Sequence, residues 1–213
     1  MVAPALTAAL VLLLVLLLVR PPVWVIVLFL MALFLPGSWW HWKTRRFRRG
    51  LKLLRAGDPG EARSEIEAFL FQVSREPIFR RLQPYFNLGR SYPYEVAGRA
   101  SLGVCDLLQG KPAAALERFR EALAHEQGWV PAAYGEAVSL RLLGQPEAAE
   151  ASARRALALR PSYLAARLLL GSLLRESGRV EEADEVLTPV ADAGDDPDAL
   201  LRALEGRWGI GDM

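Results

Sequence analysis

The 213-residue sequence has one cysteine, Cys105, and two histidines, His41 and His125. A single thiol excludes an intrachain disulfide. Cys105 sits in a helical pattern and reads as a small core residue. Two histidines so far apart offer no zinc-type ligand set, and His125, near a helix end, reads as structural. No glycine-rich phosphate loop is present, since Gly50, Gly57 and Gly60 read as helix or turn glycines. The acidic pairs Glu181-Glu182 and Asp195-Asp196 read as solvated helix ends rather than acid–base couples. With no nucleophile, metal set or cofactor loop, the expectation is a protein that is not an enzyme and carries no cofactor.

Acidic residues are absent before Asp58, and Arg20 is the one charged side chain in the first 42 residues. Seven basic side chains then crowd residues 43–57: Lys43, Arg45, Arg46, Arg48, Arg49, Lys52 and Arg55. Together with Arg20 they leave 18 basic residues against all 24 acids in residues 58–213, a net charge of −6 there. The formal total of +2 therefore describes no part of the chain. Nucleic-acid binding is not expected, because the basic excess is confined to one stretch beside an apolar one.

That apolar stretch has two runs, Met1 to Val19 and Val23 to Leu35, separated by Arg20-Pro21-Pro22. One helix through both would exceed the roughly 30 Å hydrocarbon core of a bilayer. It would also bury Arg20 at mid-depth and place two prolines inside the helix. The expectation is a transmembrane helical hairpin, segments 1–19 and 23–40, forming an anchor over 1–42. A single span at 23–40 with an interfacial first segment stays open. A cleaved signal peptide fits poorly, because the basic n-region is missing and the apolar stretch is too long. Tryptophan favours the headgroup level, and basic residues beside a span stay on the cytoplasmic side. Trp39, Trp40, Trp42, Lys43, Arg45 and Arg46 are thus the candidate contacts to membrane lipid headgroups. The remainder is expected in the cytoplasm, on a plasma (inner) membrane. An Ala-, Leu- and Arg-rich composition points to a bacterial source.

Downstream, Gly110, Gly144 and Gly178 recur every 34 residues. Seven positions before them stand Gly103, Ala137 and Gly171; five after stand Ala115, Ala149 and Ala183. Nine after stand Phe119, Ala153 and Leu187, and twelve after stand Ala122, Ala156 and Val190. Columns of constant size at one period describe pairs of antiparallel helices, each pair stacked on the next. Glycine ends the first helix, small residues let the two helices approach, and Pro112 and Pro146 open the second. The pattern predicts first helices over 97–109, 131–143 and 165–177 and second helices over 112–125, 146–159 and 180–192.

These columns resemble the tetratricopeptide repeat family over residues 96–195. Pro161 matches the proline that closes the family's unit, while Gln127 and Asp195 depart from it. The aromatic usual early in the first helix is replaced by Arg99, Ala133 and Arg167. The fold class implied is all-α, a transmembrane hairpin followed by a tetratricopeptide α-solenoid. Gly50, Gly57, Ala62 and Ile66 suggest a divergent helix pair over 43–74. Residues 75–95 then form an insertion, with Tyr85, Phe86, Tyr92 and Tyr94 beside Arg80, Arg81 and Arg90. It reads either as a partner-binding loop or as a segment packing its aromatics over the repeats or the membrane surface. Residues 196–213 read as a capping helix and tail.

In the family, first helices line a concave groove that holds a peptide or partner helix. Projected here, the groove shows Ala100, Val104, Leu107 and Leu108, then Tyr134, Val138, Arg141 and Leu142, then Leu168, Ser172, Arg175 and Glu176. The resemblance implies a partner-binding site at Val104, Leu108, Tyr134, Val138, Arg141, Ser172 and Arg175. Such a lining suits a protein or peptide with hydrophobic anchors and a carboxylate. A second copy of the chain (a homo-oligomer) or the insertion itself are alternative occupants. The family's clamp for chaperone carboxyl termini is not implied, because its asparagine column holds Val104, Val138 and Ser172. The function expected is a membrane-anchored scaffold for protein–protein interaction. The alternative is a subunit of a membrane complex whose hairpin makes the specific contacts.

Overall fold

A computed structural model describes Pro22, residues 38–77, Arg81 and residues 94–191. The chain divides into two compact units, Met1–Thr44 and Arg45–Met213. In the first, residues 38–43 are helical. The Thr44 hydroxyl and amide both donate to the Trp40 carbonyl, at 2.9 and 3.0 Å. Lys43 Nζ stands 5.7 and 5.2 Å from the ring centres of Trp39 and Trp42.

The expected transmembrane hairpin requires correction. Among the described residues no helix is long and apolar enough to cross a membrane. Of the segments assigned to the hairpin, only residues 38–40 are described, and the rest of 1–19 and 23–40 lies outside the described residues. The described part runs at once into His41 and Lys43, too short and too polar to supply a span. The fold class supported is an all-helical solenoid, without the hairpin.

Eight helices follow among the described residues of the second unit: α1 (Arg45–Ala56), α2 (Pro59–Arg75), α3 (Tyr94–Leu108), α4 (Pro112–His125), α5 (Val130–Leu142), α6 (Pro146–Leu159), α7 (Leu164–Glu176) and α8 (Val180–Ala191). They pack as successive pairs, and the second helix of each pair also meets the first helix of the next. The first helices α1, α3, α5 and α7 touch one another in a row.

The turn inside each pair is built the same way four times. Gly57, Gly110, Gly144 and Gly178 take left-handed φ values of 70–82°, where a Cβ would clash with the backbone. At Gly110 this lets the Lys111 amide reach back to the Asp106 carbonyl at 2.9 Å, satisfying a helix-end acceptor. The same bond runs from Asp58 to Leu53, Gln145 to Leu140 and Arg179 to Leu174. Its presence at Gly57 makes α1–α2 a unit of the same kind as the three that follow. Prolines begin α2, α4 and α6, and Asp58 caps α2 by accepting from the Glu61 amide at 3.1 Å.

Packing between paired helices is size-compensated. A Cβ on Gly50 would stand 2.6 Å from Ile66 Cγ1, one on Gly103 2.9 Å from Phe119 Cζ, and one on Gly171 2.8 Å from Leu187 Cδ2. Where the first column carries Ala137 instead of glycine, the second carries Ala153 instead of a large residue, and both are fully buried. Each large partner contributes roughly 1.5–3 kcal/mol by burial. At Arg167, in the column of the family's early aromatic, the guanidinium donates to the Val186 carbonyl at 2.9 Å and the Pro161 carbonyl at 2.5 Å. These bonds tie α7 to α8 and to the preceding turn.

The insertion at 75–95 falls largely outside the described residues, as do the expected cap and tail over 196–213. At its end, Tyr94 opens α3. The Tyr94 ring packs edge-on against Phe47 and Phe69, with ring centres 5.5 and 5.7 Å away.

Candidate partner-binding face

Because α3, α5 and α7 lie side by side, the sequence-predicted groove residues come from three adjacent helices. Val104, Leu108 and Leu142 are half-buried there, while Arg175 and Glu176 are exposed. Val138 is fully buried, and Tyr134 and Ser172 keep only 7% and 6% of their surface. The reason is position. Helix α5 is flanked by α3 and α7 and backed by α4 and α6, so its inward turns are covered from several sides. The Tyr134 ring meets Tyr163 edge-on, centres 5.7 Å apart, and burial pushes the Tyr163 phenol pKa up.

The two arginines one period apart do different things. Arg141 reaches from α5 to α7, donating to Ser172 Oγ at 2.8 Å and pairing with the Glu176 carboxylate. The Ser172 hydroxyl in turn donates a hydrogen bond to the Leu169 carbonyl at 3.0 Å. Arg141 is thereby a strut between repeats, its side chain 10% exposed. Arg175 instead meets Asp184 of α8 at 3.3 Å and stays 37% exposed. The structure therefore brings Arg141, Ser172 and Glu176 together. Along the face, accessible side chains change from apolar (Val104, Leu108) through mixed (Arg141, Leu142) to charged (Arg175, Glu176).

Of the residues expected at lipid headgroups, Trp40 is buried and Trp42 is 60% exposed, while Arg45 and Arg46 are exposed at the start of α1.

Sequence reasoning missed two buried acids. Asp106 lies at 3% exposure between Arg63 of α2 and Arg118 of α4; the Arg118 bond is 2.7 Å. Burial opposes the charge on Arg63, but the Asp106 hydrogen bond and attraction outweigh it and hold the guanidinium pKa above its ordinary value. Glu136 likewise joins Arg120 of α4, at 3.1 Å, to Arg155 of α6. Each acid bridges consecutive helix pairs. A signal was present, since Asp106 and Glu136 stand in columns that are leucine elsewhere: Leu140 and Leu174, and Leu102 and Leu170.

Burial pushes the Cys105 thiol up to about 11, so it is no ready nucleophile. Among the described residues no cluster of histidine, cysteine or carboxylate side chains could hold a metal ion.

Tetratricopeptide repeat profiles match residues 106–162 and 140–207. The repeats over residues 106–207 belong to the tetratricopeptide repeat family. Among solved structures, a tetratricopeptide repeat protein from Parabacteroides merdae superposes with a TM-score of 0.55 at 20% identity, covering 80% of this chain and 61% of that one. MamA superposes with a TM-score of 0.53 at 15% identity, covering 70% and 77%. These likenesses concern the fold. The FK506-binding protein-like protein of Rattus norvegicus is 30% identical over 137 residues, covering 64% of this chain and 36% of the relative. Its Homo sapiens counterpart is 31% identical over 127 residues, covering 59% and 33%. The chain thus spans about a third of the length of these curated relatives. Tetratricopeptide solenoids present extended concave surfaces on which other proteins dock.

Proposed function

We propose that this tetratricopeptide protein is a binding scaffold that holds a protein or peptide segment along the face of α3, α5 and α7. The gradient of accessible side chains carries this reading. Val104 and Leu108 offer an apolar seat, and Arg175, its side chain 37% exposed, offers a charge two helices away. A partner suited to it places an apolar side chain at α3 and a carboxylate at α7. A charge-assisted hydrogen bond is stronger than a neutral one, so that carboxylate would fix orientation.

A photo-crosslinking amino acid at Leu108 or Arg175, compared with one at exposed Ala113 of α4 or Ala148 of α6, tests the reading. Adducts from the first two positions and none from the others are expected. Equal adducts from all four would remove the face as the binding site.

A further inference from the structure

The most strongly charged element takes no part in that face. Helix α1 carries Arg45, Arg46, Arg48, Arg49, Lys52 and Arg55 within 12 residues and no acid, and all six side chains are exposed. Arg45, Arg46 and Arg49 line a recess of about 440 Å³ together with Ser64, Glu65 and Ala68 of α2. Arg49 is a one-turn neighbour of both Arg45 and Arg46 on α1, as Ala68 is of Ser64 and Glu65 on α2, so one turn of each helix forms a wall. Glu65 pairs with Arg49 at 3.4 Å. Among the described residues no acid pairs with Arg45 or Arg46.

Elsewhere in the solenoid, arginines close to one another share acids. Arg63 and Arg118 share Asp106, Arg120 and Arg155 share Glu136, and Arg154 and Arg179 share Glu150 and Glu182. Three guanidiniums against one carboxylate break that habit, and crowded like charge opposes compactness unless a counter-charge arrives.

We infer that the recess between α1 and α2 binds a phosphate group, with Arg45, Arg46 and Arg49 as donors. The planar fork of a guanidinium matches phosphate oxygens two at a time. Glu65 holds Arg49 and yields it to the stronger anion. Arg48, Lys52 and Arg55 extend the positive potential along the helix. Two sources carry such a phosphate: a soluble phosphate or its small esters, and the headgroup of an anionic phospholipid.

The full-length chain is titrated calorimetrically with inorganic phosphate and, separately, mixed with phosphatidylglycerol or phosphatidylcholine vesicles in flotation. Phosphatidylcholine reports association that needs no anionic headgroup. Binding of phosphate, or excess binding to phosphatidylglycerol, is expected and identifies the source. Arg45→Glu with Arg46→Glu should weaken that binding about tenfold or more. Glu65→Gln should tighten it, whereas Glu61→Gln, the same change of charge at an exposed position outside the recess, should leave it unchanged. The gain at Glu65→Gln keeps the test decisive even where the double arginine variant folds poorly. No binding in either arm overturns the proposal. So does equal weakening by Lys52→Glu with Arg55→Glu, because diffuse charge rather than the recess would then be responsible.

Discussion

The ring of Phe119 touches Gly135 so closely that a Cβ there would stand 2.4 Å from its Cε1 atom. Gly103 also approaches that ring within a helix pair, where a Cβ would stand 2.9 Å from its Cζ atom. Phe119 thus packs against two glycines, one in its own repeat and one in the next. An exposed ring could swing away from an added methyl, but this one is 1% exposed and packed against both helices. Gly135→Ala should therefore destabilise the domain by about 1–3 kcal/mol through overpacking. Urea denaturation gives the value, and Phe119→Leu in the same chain should recover part of it. An additive double mutant would show that the two residues do not compete for space.

Size compensation predicts a second stability effect. Gly171→Leu places a large side chain where Leu187 already fills the space and should cost on the order of 1–3 kcal/mol. Ala149, fully buried at the equivalent interface of the preceding pair, should respond to leucine in the same way. An unchanged denaturation midpoint in either variant would contradict the packing.

Asp106 serves two arginines from neighbouring pairs. Asp106→Ala leaves Arg63 and Arg118 without it, but their side chains are 22% and 33% exposed and can turn toward water. The loss should be about 1–3 kcal/mol rather than the larger cost of a fully buried orphan charge. A thiol reagent offers an independent readout. Cys105, fully buried beside Asp106 with its pKa near 11, should react at neutral pH only when the fold opens. Its trapping rate should be slow in the native chain and faster in Asp106→Ala. Rapid native labelling would place Cys105 outside the core.

Hydrogen bonds from Arg154 and Arg179 hold the Glu182 carboxyl below its usual pKa. A carboxyl depressed in the folded state stabilises it above the unfolded pKa, and that contribution fades as pH falls through the folded value. Stability should thus decline below the ordinary glutamate range, and Glu182→Gln should flatten that slope. Because the site is open to solvent, the effect should be small and should shrink further in salt. An unaltered acid slope in Glu182→Gln would place the sensitivity elsewhere.

On the proposed binding face, Arg175→Glu should lower partner crosslinking at Leu108 by about tenfold while leaving the unfolding midpoint nearly unchanged. Arg141→Glu should do more to stability, because it breaks the bridge to Ser172 and sets two carboxylates together at Glu176. Capture that survives the change at Arg175 would move recognition off this face.

Much of the solenoid was legible in the sequence because its signals are local. A glycine that must take positive φ, a proline at a helix start and a small residue facing a large one each act within a few turns, and a 34-residue period repeats them. The same logic at Gly50, Gly57, Ala62 and Ile66 suggested a divergent pair over 43–74, although its spacing from the later glycines departs from the 34-residue period. The apolar amino-terminal runs invited a hairpin on length and composition, but neither of those measures says how such residues pack.

By itself, then, the sequence determined the order of helices, the turn chemistry between them and the packing columns within each pair. Tertiary structure alone decided what the polar residues do. Arg63 and Asp106 lie 43 positions apart, and Arg141 and Glu176 lie 35 apart, so no local spacing rule pairs them. Stacking brings those charges together and covers Val138, Tyr134 and Ser172 with neighbouring helices. An isolated helix shows which side chains share a side, but only its neighbours determine which of them remain in contact with water.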